Sequence, residues 1–259
     1  MRITVAGDSH VGLRRRHNED AFLLLPEERL FCVADGMGGH ASGEVAARIA
    51  VEEMAEFFRL TGRDEEATWP FRERRDRSYA ENRLVTGMKL ANQRIRERAA
   101  MDPKLRGMGT TLVAAWFEES SARALVGHVG DSRAYLWRRG ALSQLTEDHS
   151  LLNDYIKARR PSPSEIEAFP HKNVILRALG MGDAVEIDVV PLALEDGDLL
   201  LLCCDGLSAM VRDERIADAL RAAPRDLDAA VAGLIAAANE AGGADNVTVV
   251  LAQVHAGGA

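Results

Sequence analysis

Phe31-Cys32-Val33-Ala34-Asp35-Gly36-Met37-Gly38-Gly39-His40 is the stretch whose reading decides the fold. An apolar run long enough for a buried strand ends in a carboxylate, and the residues after it have almost no side chain. Such a construction delivers a negative charge to a site while another group approaches the backbone closely. Alone it could equally be a tight turn, so recurrence decides. Val129-Gly130-Asp131-Ser132 and Cys203-Cys204-Asp205-Gly206 also end apolar runs in an acid beside glycine, Gly243-Ala244-Asp245-Asn246 leads into one, and Glu19-Asp20 stands just before another at Ala21.

Carboxylates flanking buried strands are costly unless paired or metal-bound. Any one of these Asp residues could simply start a turn by accepting a backbone hydrogen bond. Sheets bring strand ends into register, however, so the acids are expected to converge. A cluster of hard oxygen donors with no His or Cys at ligand spacing selects Mg²⁺ or Mn²⁺ over zinc or copper. The expectation is a carboxylate-bound centre with more than one ion.

Working outward, Ile3 to Ala6, Ala21 to Leu25, Leu30 to Ala34, Thr110 to Phe117, Ala122 to Val129, Arg133 to Trp137, Ala141 to Gln144, Val185 to Val190, Leu199 to Cys204 and Val247 to Val254 read as strands. Many follow one another too closely for crossovers, which implies antiparallel hairpins. Gly7 to Asp20 reads as a basic loop. Helices are expected over Glu44 to Phe58, from the Ser78/Glu81 capping box through Ile95, over Asp213 to Ala219, and from Leu227 to the Gly242-Gly243 stop. Between Asp148 and Gly182 the pattern loosens around a short helix opened by Ser162-Pro163-Ser164-Glu165, as in an inserted segment. Strands arriving in clusters, with helical hairpin material between them, favour α+β over an alternating βαβ fold.

The 259 residues, at a formal charge of −8, suit one domain spanning 1–259 and argue against a nucleic-acid surface. Absence of a signal-peptide pattern and of any apolar run near the ~18 residues of a membrane span places the chain in the cytoplasm. Cys32, Cys203 and Cys204 lie in apolar runs and read as small buried hydrophobes. A P-loop is ruled out because the glycines after Asp35 are not followed by Lys-Ser/Thr.

Seven motifs then occur in order: Gly12-x-x-Arg15-x-x-Asn18-Glu19-Asp20, Asp35-Gly36-Met37-Gly38-Gly39-His40, Gly109-Thr110-Thr111, Gly130-Asp131-Ser132-Arg133-Ala134-Tyr135, Asp148-His149-Ser150, Asp205-Gly206 and Asp245-Asn246. Together, from about Ile3 to Val254, they resemble the bacterial metal-dependent protein phosphatases, the type 2C Ser/Thr phosphatases. The resemblance implies a four-layer α-β-β-α sandwich, two antiparallel sheets flanked by helices, with a binuclear Mn²⁺ or Mg²⁺ centre in a cleft at one end. Asp35 would bridge the ions and the Gly36 carbonyl would ligate one of them. Asp205 and Asp245 would complete the ligand set, Glu19 and Asp20 would hold metal-bound waters, and Asp131 would bind a third ion. Two divalent ions roughly 3.5 to 4 Å apart activate a shared water for direct attack on phosphorus. Arg15 would bind the phosphate. Met37 stands where eukaryotic members carry a histidine proposed as general acid, which leaves leaving-group protonation to a metal-bound water or to His40. The loose segment, about 151–172, matches the family's flap beside the cleft.

The implied substrates are phosphorylated proteins, a Ser/Thr kinase and its targets among them, and the chain is expected to be a monomer. Two other readings stay open at this stage: a two-metal phosphoesterase for small molecules, and an inactive regulatory module.

Overall fold

The computed structural model describes residues 1–38, 42–63, 69–118, 121–223 and 226–255. In chain order they form β1 (Arg2–His10), β2 (Asp20–Leu25), β3 (Leu30–Met37), α1 (Ser42–Arg63), α2 (Tyr79–Met101), β4 (Gly109–Thr110), β5 (Leu112–Phe117), β6 (Arg123–Val129), β7 (Arg133–Arg138) and β8 (Ala141–Gln144). There follow α3 (Leu151–Arg159), α4 (Pro163–Ala168), β9 (Asp188–Ala193), β10 (Leu199–Cys203), α5 (Asp205–Ser208), α6 (Asp213–Ala222), α7 (Leu227–Glu240) and β11 (Val247–His255). One sheet runs β1-β11-β10-β7-β8 and the other β2-β3-β5-β6-β9, with β4 joined to β3. Every ladder is antiparallel.

The sheets face each other, and the central strands are apolar without interruption because both of their faces are buried. Along β3, Leu30, Cys32 and Ala34 pack under α1 and α2, whereas Phe31 and Val33 point into the gap between the sheets. Along β10, Leu199, Leu201 and Cys203 pack under α6 and α7, while Leu200 and Leu202 fill the gap. Each fully buried Leu or Phe contributes about 1.5–3 kcal/mol. Helix, sheet, sheet and helix thus form the four layers expected, and the three cysteines are free and buried as expected.

Period-two alternation places the acids. Asp20 falls on the same face of β2 as Phe22 and Leu24, and Asp35 on the same face of β3 as Phe31 and Val33, all four of these hydrophobes facing the gap. Asp20 and Asp35 are also partners in the β2–β3 register. Both stand where the inter-sheet core opens.

Some boundaries differ from the sequence reading. β1 runs on to His10 through residues read as loop. Among the described residues it pairs only with β11, and an edge strand tolerates the polar Asp8, Ser9 and His10. The strand expected at Val185 to Val190 lies instead at Asp188–Ala193, the register being set by pairing with β6. The loose segment holds a second helix, α3, capped by the Ser150 hydroxyl, which accepts from Asn153 N. No α3 residue is buried, so there was no apolar stripe to read. Among the described residues no helix is long and apolar enough to cross a membrane.

The helix layer over β2–β3 is pinned by a buried guanidinium. Arg83 donates to Phe58 O at 2.8 Å and to Thr61 Oγ1 at 2.8 Å, with its Cζ 4.5 Å from the Phe58 ring centroid and 4.8 Å from that of Trp116. Arg83→Met leaves these acceptors without their donor, so urea denaturation is expected to show a loss of about 3 kcal/mol. A loss within experimental error of zero would refute this role.

Candidate metal centre

Backbone bonds aim Asp35. Its N–H donates to Thr111 Oγ1 at 3.1 Å, and its carbonyl accepts from Thr111 N at 2.9 Å and Thr110 Oγ1 at 2.8 Å, which leaves the carboxylate free to face the gap. Asp20 accepts from Thr248 Oγ1 of the opposite sheet at 2.6 Å. Asp205 opens α5 directly after β10, and Asp245 closes the turn before β11. Gly36 is required by close approach: a Cβ there would lie 2.3 Å from Gly43 O and 2.4 Å from Glu19 O.

Asn246 joins the parts. Its Oδ1 accepts from Glu19 N at 2.8 Å, while its Nδ2 donates to Val11 O at 2.9 Å and His17 O at 3.0 Å. Leu13 N and Arg14 N bind Gly243 O at 2.8 and 3.1 Å, so the whole Arg15 loop hangs on the turn that carries Asp245. Arg15 Nη2 donates to Asp245 Oδ2 at 2.7 Å from a side chain still 52% exposed.

A cavity of about 240 Å³ is lined by Arg15, Glu19, Asp35, Gly36, Asp205 and Asp245 together with Met37, Asn173 and Ile175. A roomier cavity of about 620 Å³ lies between α2 and residues 183–185. It lacks the convergent acids, and charge rather than size marks the smaller one as the site.

The electrostatics are severe. Burial, followed by the charges of Asp20, Asp205 and Asp131, holds the Asp35 carboxyl well above the ordinary range. Burial also pushes Asp20 up to about 7 against the Thr248 bond, and Asp131 up to about 7 with Asp205 and Asp148 adding to it. Asp205 is raised by burial and by Asp245, and Glu19 chiefly by burial. Asp131 Oδ1 is buried with no hydrogen-bond partner. Orphaned hard oxygen at the focus of several carboxylates is the donor set that Mg²⁺ or Mn²⁺ fits.

The expected site residues mostly meet. Arg15, Glu19, Asp35, Gly36, Asp205 and Asp245 share the cavity, Asp20 is paired with Asp35 in the β2–β3 register, and Asp131 acts on Asp35 by charge from the end of β6. His40 lies outside the described residues. Sequence reasoning gave no role to Thr111, Thr248 and Asn246. The one available signal was the position of Asn246 directly after Asp245, in a turn that also has to receive the Arg15 loop.

A two-sheet sandwich flanked by helices, with clustered acids and an arginine at one mouth of its inner gap, defines a divalent-metal phosphoesterase. The profile of the family described as protein phosphatase 2C matches residues 6–251, and the chain belongs to that family. The serine/threonine phosphatase Stp of Listeria monocytogenes is 36% identical over 249 residues, covering 93% of this chain and 92% of that protein. The crystal structure of the Mycobacterium tuberculosis serine/threonine phosphatase PstP superposes with a TM-score of 0.85 at 35% identity, covering 99% of this chain and 100% of that one. The PstP catalytic domain in complex with two manganese ions superposes at 0.81, also at 35% identity, covering 98% of this chain and 99% of that one.

Because Asp20 and Asp131 titrate higher in the fold than when unfolded, the native chain binds more protons between the two values. That contribution to stability is complete below the unfolded carboxylate range and is lost as pH rises through about 7. In EDTA the melting temperature is therefore expected to fall from about pH 5 to about pH 8. Mn²⁺ should raise it, and more at the higher pH. A Mn²⁺ effect independent of pH would overturn this assignment of charge.

Proposed function

We propose that this chain removes phosphate from phosphoserine and phosphothreonine in proteins, as a single metal-dependent phosphatase domain spanning 1–259. The observation that carries the reading is the convergence of Asp35 from β3, Asp205 from the start of α5 and Asp245 from the turn before β11, beside Arg15 in one cavity. Asp35, the Gly36 carbonyl, Asp205 and Asp245 would hold two Mn²⁺ or Mg²⁺ ions, with Glu19 and Asp20 holding their hydration and Asp131 a further ion. When bound, the ions lower the pKa of the attacking water and offset charge on the phosphoryl oxygens.

The protein's own groups do the rest. Arg15 is well placed to exchange its single bond to Asp245 for the phosphoryl oxygens, its planar fork matching two of them at once. The bonds of Thr110 and Thr111 to the Asp35 backbone keep that carboxylate from turning back into the sheet. Asn246 fixes the distance between the Arg15 loop and the acids. Asn173 and Ile175, directly after the segment 151–172, form the cavity wall, which makes that segment the place where a protein substrate is sorted. Cytoplasmic phosphoproteins are the substrates of this reading, a Ser/Thr kinase among them, and the enzyme works as a monomer.

Release of phosphate from a phosphothreonine peptide with Mn²⁺ should disappear with EDTA and with Asp35→Asn. Arg15→Ala should lower kcat/KM by about 10²–10³-fold. Turnover that survives both EDTA and Asp35→Asn would refute the mechanism. Replacing residues 151–172 with the corresponding segment of a related phosphatase should alter peptide preference more than turnover of a small aryl phosphate. Equal effects on both substrates would remove the segment from substrate choice.

A further inference from the structure

His128, His149 and Asp188 bring three potential ligand atoms within 4.8 Å of one another, away from the acidic cavity. Hydrogen bonding accounts for His149 without a cation. Gly130 N donates to His149 Nδ1 at 3.1 Å, so that nitrogen must offer a lone pair and the ring proton must sit on Nε2. Nε2 faces Asp188 Oδ2 at 3.2 Å, the acceptor such a tautomer needs; Arg177 Nη1 shares that carboxylate at 3.3 Å and lies 3.4 Å from Nε2, as a second donor beside it. The His128 ring stacks on His149 at 4.7 Å and 16°, while its own Nε2 bonds to Glu147 O at 2.9 Å. The imidazole is thus fixed in plane and in tautomer, with its lone pair aimed at one backbone N–H.

The residue it holds is the one before Asp131. Gly130 has φ +104°, and a Cβ there would lie 2.5 Å from the Thr111 side chain, so the turn is confined to one shape. His149 grips it twice, since His149 N also donates to Gly130 O at 2.9 Å. Beyond Asp131, Ser132 Oγ bonds to Thr111 Oγ1 at 2.7 Å, and Arg133 forms a two-pronged pair with Asp148 at 2.8 and 2.7 Å. Asp131 Oδ1 itself has no partner. Beyond a bond to its own backbone, the restraint on this carboxylate comes through its neighbours, two of the groups that hold them being the adjacent residues Asp148 and His149. The same His149 accepts Leu176 N on its carbonyl at 2.8 Å, one residue past Ile175 in the cavity wall.

We infer that His149 is a positioning residue for Asp131: by clamping Gly130 through ring and backbone, it holds that carboxylate ready for a divalent ion and ties it to the exit of the segment 151–172. The inference rests on the proposed reading of Asp131 as an ion ligand.

Mn²⁺ titration calorimetry on the wild type, Asp131→Asn, His149→Asn and His149→Gln tests it. The Oδ1 of asparagine replaces the Nδ1 acceptor, whereas glutamine reaches toward Asp188 but offers nothing to Gly130. His149→Gln is expected to weaken the same binding event that Asp131→Asn removes, by about tenfold or more, with His149→Asn close to wild type. Equal weakening in the two His149 variants, or none in His149→Gln, overturns the inference. An Asp131→Asn isotherm identical to wild type fails the reading of Asp131 instead. ¹⁵N NMR of the wild-type imidazole supplies a measurement that needs no variant: the proton is expected on Nε2, and a proton on Nδ1 overturns the clamp.

Discussion

Asp20 and Asp35 face each other across the β2–β3 ladder, with Asp131 and Asp205 near enough to raise the proton affinity of Asp35 further. Among the described residues no positive side chain is bonded to them: Arg15 bonds to Asp245, at the mouth, and Arg133 to Asp148. Unanswered charge of this kind is tolerable only at the end of a core, where the packed hydrophobes stop. The alternation that buries Phe31 and Val33 between the sheets therefore also sets where Asp35 has to be. Fold and site are one arrangement read at two places along the same strand.

Much of this was legible in the sequence, for a physical reason. Strands buried on both faces are written as unbroken apolar runs, and an Asp closing such a run is conspicuous, as at Asp35 and Asp205. Where burial is absent, so was the signal: α3 has no buried residue, and β1 turns polar toward His10 because it pairs on one side only. β9 slid by a few residues because its limits depend on β6, a partner that local periodicity cannot see. Within the site, charged residues announce themselves by type and position, but the groups that aim them do not. Thr111, Thr248 and Asn246 are ordinary polar residues until the chain is folded, since each acts on a residue remote in sequence.

The division between the clustered acids and the neutral groups that aim them has a counterpart in rigidity. The acids repel and would spread, whereas the neutral hydrogen bonds from Thr110, Thr111 and Asn246 are made to backbone atoms and do not depend on the charge state of the acids. A frame of that kind can keep its shape while its contents change protonation. Preorganisation of the centre thus lies mainly in uncharged groups.

The pairing of β1 with β11, from Arg2 opposite His255 to His10 opposite Val247, carries a consequence for the order of events during synthesis. Among the described residues β1 has no other ladder partner, and Asp245, Asn246 and Thr248 are synthesised long after Asp35. A nascent chain that holds Asp35 and Asp205 but not yet β11 lacks Asp245 and the Asn246 bonds that tie the Arg15 loop to it. The acid cluster is therefore completed by long-range strand closure between β1 and β11.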